Sequence, residues 1–159
     1  MADWHVRTPQ VTDVPAIVSA MRPWDLVECA MHAVSPEDYL LSEVLHGYNT
    51  LTLVDGDGAP VAIGGVTPYA FRQGRIWMLG TEAIEAQPRA FQCAARRYVH
   101  LALSGFDRLD NFVPAQRRGI IKWLVGLGFS IGEPYRHVSG LEVVPFSWVR
   151  PSPVQASGV

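Results

Sequence analysis

Two segments with helical periodicity, Pro88 to about Ser104 and Gln116–Leu127, each lie between stretches of strand character. That order constrains the fold more than any other feature of the chain. A helix that carries the chain from one strand to the next is a crossover, and crossovers permit parallel pairing that tight hairpins do not. The first of these helices puts Phe91, Ala95, Tyr98 and Ala102 on one face, and the second Ile120, Ile121, Leu124 and Leu127. The strand segments are "GRIWML" before them, "RLDNFV" between them, and "SIGEPYRH" and "LEVVPFSWV" after them. Gly128 is the stop for the second helix.

The upstream half begins with a short strand in "HVRTPQ". A helix follows in "VTDVPAIVSAM", with Thr12 or Asp13 as cap and Pro15 in its first turn. Another short helix starts after Pro23. The clearest local signal is "SPEDYLLSEVLHG": Ser35 caps, Pro36 opens the helix, Glu37 and Asp38 favour its positive end, and Gly47 ends it. Leu40, Leu41, Val44 and Leu45 form its apolar stripe. "YNTLTLV", "DGDG" and "APVAIGGV" read as a hairpin with Asp-Gly turn residues, and Gly64-Gly65 mark a bulge or a close backbone approach. "TPYAFRQG" is turn-rich and leads to the third strand.

The pattern predicts an α/β fold: one domain over residues 1–150, with a mostly antiparallel mixed sheet, one parallel crossover pair and flanking helices. The strands near residues 75–80 and 109–113 are expected to be adjacent and parallel. Residues 151–159 read as a frayed tail.

The 159-residue chain has net charge −2, which gives no global attraction to nucleic acid or to an anionic membrane. No apolar run approaches the ~20 residues a membrane helix needs. The start, "MADWHVRT", has no apolar core of a signal peptide. Cys29 and Cys93 have no metal-like spacing and read as buried free thiols in a reduced, cytosolic setting. The five histidines are scattered, so no metal site is expected.

Between "IWML" and the helix from Pro88 lies Gly80-Thr81-Glu82-Ala83-Ile84-Glu85-Ala86-Gln87. A loop from strand to helix N-terminus often binds phosphate through converging backbone N–H groups. The element order and "RRGIIKWLVGLGF", residues 117–129, resemble the GNAT (N-acetyltransferase) superfamily over residues 5–149. "IWMLGTEAI", the helix after it and "NFV…KWLVGLGF" resemble more narrowly the GNAT-like internal virion proteins of short-tailed bacteriophages. The resemblance implies a coenzyme A site, with the pantetheine arm paired to the backbone of Met78, Leu79 and Gly80 and with Arg89 near the phosphates.

The chain departs from that family where the cofactor is gripped. Family enzymes carry Arg/Gln-x-x-Gly-x-Gly/Ala in this loop, whereas here a single glycine stands at its start and Glu82 and Glu85 bring charge of the phosphate's own sign. Thr81 and the glutamates read as capping and solvating groups. "QRRGII" imitates the signature but follows the wrong strand. Counting back from Gly128-Phe129, Arg117 replaces the helix-start asparagine and Leu124 replaces the tyrosine that often serves as general acid. A leucine has no proton to donate. No catalytic residue is therefore assigned.

Other groups have plainer readings. Arg89, Arg96 and His100 share a helix face with Cys93 and read as a solvated basic face. Glu142 is expected to be exposed. Trp77 and Trp123 fit core positions, while Trp4, Trp24 and Trp148 are expected to form an exposed aromatic cluster suited to an interface.

Two functions follow from the resemblance. The first is a phage-encoded virion protein, internal or at the head–tail junction, made in the host cytoplasm and carried in the virion. It would bind other virion proteins, with no membrane, no sequence-specific nucleic acid, no cofactor and no acetyl transfer. The second is an acetyl-CoA-dependent N-acetyltransferase for a small amine or a protein amine. The departures favour the first.

Overall fold

The computed structural model describes residues 3–152, so nearly all of the expected tail, residues 153–159, lies outside them. The chain forms two compact units, one up to Thr67 together with Ile76–Val99, the other Pro68–Arg75 together with the chain from His100 onward.

The first unit holds β1 (His5–Arg7), α1 (Asp13–Ser19), α2 (Pro23–Met31), α3 (Pro36–His46) and β2 (Leu51–Val54). It also holds most of β3 (Pro60–Ala70), the end of β4 (Gln73–Gly80), α4 (Ala83–Ala86) and most of α5 (Pro88–Gly105). β1 and β2 pair antiparallel, and β2 pairs β3 antiparallel with a register shift between Leu53 and Val54. Val14, Ile17, Met21, Cys29, Leu40, Ile63 and Leu79 make one buried cluster, which removes the apolar faces of α1 and α3 from water.

Local signals set these elements. The Ser35 hydroxyl accepts the Asp38 N–H, and Pro36 opens α3. Gly47 ends α3 with φ −67°, outside the left-handed region; glycine is needed there because a Cβ would collide with the Glu43 carbonyl oxygen and Thr50. The Gly64-Gly65 pair is a close approach: a Cβ on Gly64 would sit 3.0 Å from the Trp77 carbonyl oxygen. Two expectations are corrected. Leu45 is exposed, so the α3 stripe is narrower than its apolar spacing suggests. "TPYA" continues β3 to Ala70, and the turn is only Phe71-Arg72, with Arg72 at φ 56°.

The second unit contains the end of β3 and the start of β4, together with β5 (Arg108–Pro114), α6 (Arg118–Gly126), β6 (Ser130–Ile131), β7 (Tyr135–Arg136) and β8 (Glu142–Val149). β5 runs antiparallel to β8 along its whole length, and β6 and β7 both pair with β8. "SIGEPYRH" is thus two short strands rather than one. The parallel pair is β4–β5, matched at Gln73–Arg75 and Arg108–Asp110, which is earlier in both strands than expected. Gly128 stops α6 with φ 98°, and Phe129 packs edge-on to Phe146 at 5.3 Å. Arg150 donates to the carbonyls of Leu103, Ser104 and Phe106, satisfying acceptors at the C-terminal end of α5. Among the described residues the strands form one mixed sheet, β1-β2-β3-β4-β5-β8-β6, with β7 beside β8.

Candidate functional site: the end of β4 and the turn into α5

Backbone groups alternate sides along a strand. The Thr81 N–H donates to the Val61 carbonyl on β3 at 2.9 Å, so the neighbouring groups of Gly80 and Glu82 face the opposite edge. The linker between α1 and α2 fills that edge. The Arg22 N–H donates to the Gly80 carbonyl at 3.0 Å, the Glu82 N–H donates to the Ala20 carbonyl at 3.1 Å, and Met21 bridges Thr81 antiparallel. Beneath this bridge the Gly80 N–H donates to Asp25 Oδ2 at 2.9 Å. Asp25 is fully buried and pairs with the buried Arg22 guanidinium, Nε at 2.8 Å and a terminal nitrogen at 3.2 Å.

The turn that follows is closed by its own hydrogen bonds. The N–H of Ile84 donates to the Thr81 carbonyl, those of Glu85 and Ala86 to Glu82, and that of Gln87 to Ala83. The Phe91 N–H then donates to Gln87. One turn of helix, α4, therefore stands where a phosphate-binding loop would need open donors, and Pro88 opens α5 without an N–H of its own. Glu82, Glu85 and Arg89 are exposed around it. Thr81 does not cap: its hydroxyl is buried and without a hydrogen-bond partner among the described residues.

The four expected cofactor contacts fare differently. Both backbone groups of Gly80 are engaged within the protein. Leu79 is buried and, by alternation from Thr81, its backbone turns towards β3. Met78 shares the side of Gly80 and is half-buried, and Arg89 is exposed at the first turn of α5. As they stand, these residues do not fit a coenzyme A pyrophosphate, and Gly80 has no free backbone group to offer its pantetheine. The residues that decide this, Ala20, Arg22 and Asp25, were not singled out from the sequence. Their signal was "RPWD", an arginine and an aspartate at i, i+3 around the proline that opens α2.

Elsewhere Leu124 is buried, while Ile120, Ile121 and Leu127 are half-buried. Leu124→Ala is expected to cost about 2–5 kcal/mol, and Leu124→Tyr about 1–3 kcal/mol through overpacking. Denaturant midpoints check both, and an unchanged Leu124→Ala midpoint would refute the packing role. Glu142 is exposed as expected. Arg89, Cys93, Arg96 and His100 all lie exposed on α5, so only Cys29 is the buried thiol foreseen. Burial, with the charges of Asp25 and Glu28, pushes the Cys29 thiol up to about 11, so it stays protonated at neutral pH. None of Trp4, Trp24 and Trp148 is exposed as expected: Trp4 is buried, and Trp24 and Trp148 are half-buried. Among the described residues no group of His, Cys, Asp or Glu is placed to hold a metal ion, and no helix is long and apolar enough to cross a membrane.

No family model and no curated protein matches the sequence. Solved structures do match the fold. Ard1 from Thermoplasma volcanium superposes with a TM-score of 0.72 at 10% identity, covering 96% of this chain and 100% of that one. The ribosomal-protein-S18-alanine N-acetyltransferase from Escherichia coli gives 0.69 at 13% identity, covering 94% and 97%. A GNAT-family acetyltransferase from Bacillus anthracis gives 0.70 at 11% identity, covering 91% and 93%. With the single parallel pair in a mixed sheet flanked by helices, this chain has the fold of the GNAT N-acetyltransferases.

Proposed function

We propose that this chain uses the acetyltransferase fold as a binding scaffold and does not hold coenzyme A tightly. One observation carries the reading: the N–H groups of Gly80, Thr81, Glu82, Ile84, Glu85, Ala86 and Gln87 all donate to protein acceptors. A pyrophosphate bound there would have to displace them, against two nearby carboxylates of like sign. The resemblance of "IWMLGTEAI" and "NFV…KWLVGLGF" to the internal virion proteins of short-tailed phages supplies the setting. The partners would be other virion proteins and the location the virion. That setting rests on the sequence resemblance alone.

The second reading is an acetyl-CoA-dependent N-acetyltransferase acting on a small amine or a protein amine. The solved neighbours support its general kind, and they lend nothing to a virion role. Titration with acetyl-coenzyme A at low ionic strength, where screening is weakest, separates the two. The expected dissociation constant lies above about 1 mM, less than ~4 kcal/mol of binding. A micromolar constant that weakens in Arg89→Ala would establish the second reading instead.

A further inference from the structure

The second unit carries a groove of about 390 Å³, within reach of the range typical of small-molecule sites. Its floor comes from β5 and β8. Side chains alternate along β5, so Arg108, Asp110 and Phe112 share one face while the buried Leu109 and Val113 take the other. Across the ladder Ser147 opposes Asp110 and Pro145 opposes Phe112, while Arg75 of β4 opposes Asp110 on its other side.

One end of the groove is cationic. The Tyr69 hydroxyl and Arg108 Nε both donate to Asp110 Oδ2, at 2.5 and 2.9 Å. Asp110 is thereby committed to Arg108. Arg75 is exposed and forms no ion pair among the described residues, which leaves one uncompensated guanidinium at the rim. The other end is aromatic. Phe112 is half-buried and held by Tyr135, edge-on at 6.5 Å, and by the His137 ring at 5.2 Å, while Pro145 and Phe146 extend the apolar surface.

We propose that this groove binds an aromatic carboxylate, with the ring on Phe112 and Pro145 and the carboxylate on Arg75. A guanidinium fork matches a carboxylate in two parallel hydrogen bonds, and an aromatic floor favours a ring over an alkyl chain. Phe112 and the Asp110–Arg75 row stand about 7 Å apart along the strand, which suits a carboxylate two carbons from its ring. The same chemistry is offered by a free aryl-alkyl acid and by a peptide that ends in phenylalanine. This site is independent of the coenzyme A question, and its failure would leave that question untouched.

The test is calorimetric or NMR titration of the full chain with 3-phenylpropionate, with its amide, and with a Gly-Ser-Phe peptide bearing a free or an amidated C-terminus. Saturable binding with a dissociation constant of about 1 mM or tighter is expected for at least one acid. Both amides should bind at least about tenfold more weakly, and so should the acids with Arg75→Gln. Arg75 is exposed, so that variant should fold; its thermal midpoint should match the parent. Tighter binding of the peptide acid identifies a partner's C-terminus as the source, and tighter binding of 3-phenylpropionate identifies a free acid. The proposal is overturned if neither acid saturates by about 10 mM, or if the amides or Arg75→Gln bind as tightly as the parent pair does.

Discussion

Asp25→Ala should destabilise the protein by about 3–5 kcal/mol, because it leaves the buried Arg22 guanidinium without its counter-charge. The Gly80 N–H loses its acceptor in the same step. Removing both charges is a different experiment. In Arg22→Met combined with Asp25→Leu no isolated ion remains buried, and the loss should fall to about 1–3 kcal/mol, the cost of one unsatisfied buried N–H. The double variant is therefore expected to be more stable than Asp25→Ala alone. Urea midpoints of the three proteins decide it. A single variant within about 1 kcal/mol of the parent would show that the pair is not held in the interior.

That pair also marks the limit of what the sequence discloses. Features set by neighbours along the chain were readable: the Ser35 cap with Pro36, the Asp-Gly turn before β3, the apolar face of α5, and the stop at Gly128. The order of strands and helices was enough to reach the fold and its one parallel pair. Features set by packing between distant segments were not. Arg72 turns the β3–β4 hairpin at a positive φ usually left to glycine or asparagine, so "TPYAFRQG" read as loop. Trp4 sits beside a chain terminus yet is buried, which no local pattern encodes. That a single glycine, Gly80, stands between "IWML" and Pro88 was legible in composition. That the donors are taken up by α4 and by the α1–α2 linker depends on residues 20–22 meeting residues 80–82, a pairing without local trace.

Asp13 should give the second large effect, and one that depends on pH. Its carboxylate is buried at the start of α1, where it accepts two bonds from Arg7 at 2.8 Å, one from the Gln10 N–H at 2.9 Å and one from the Thr52 hydroxyl at 2.8 Å. It thereby ties β1, α1 and β2 together. Burial alone would push its pKa up, but the hydrogen bonds of Arg7, Gln10 and Thr52, with the charge of Arg7, hold it below the ordinary carboxyl value. A carboxyl depressed by folding stabilises the native state above its unfolded pKa, and that contribution disappears as pH falls through the folded value. At neutral pH Asp13→Ala should therefore cost about 3 kcal/mol, since the charged acceptor goes and the buried Thr52 hydroxyl loses its partner. Asp13→Asn keeps an acceptor oxygen and removes the charge, so its deficit should be smaller and should narrow as the parent carboxyl protonates. Denaturant midpoints of parent and Asp13→Asn, compared at neutral pH and at about pH 3, measure that narrowing. A deficit constant across this range would mean that the Asp13 charge contributes nothing to holding the three elements together.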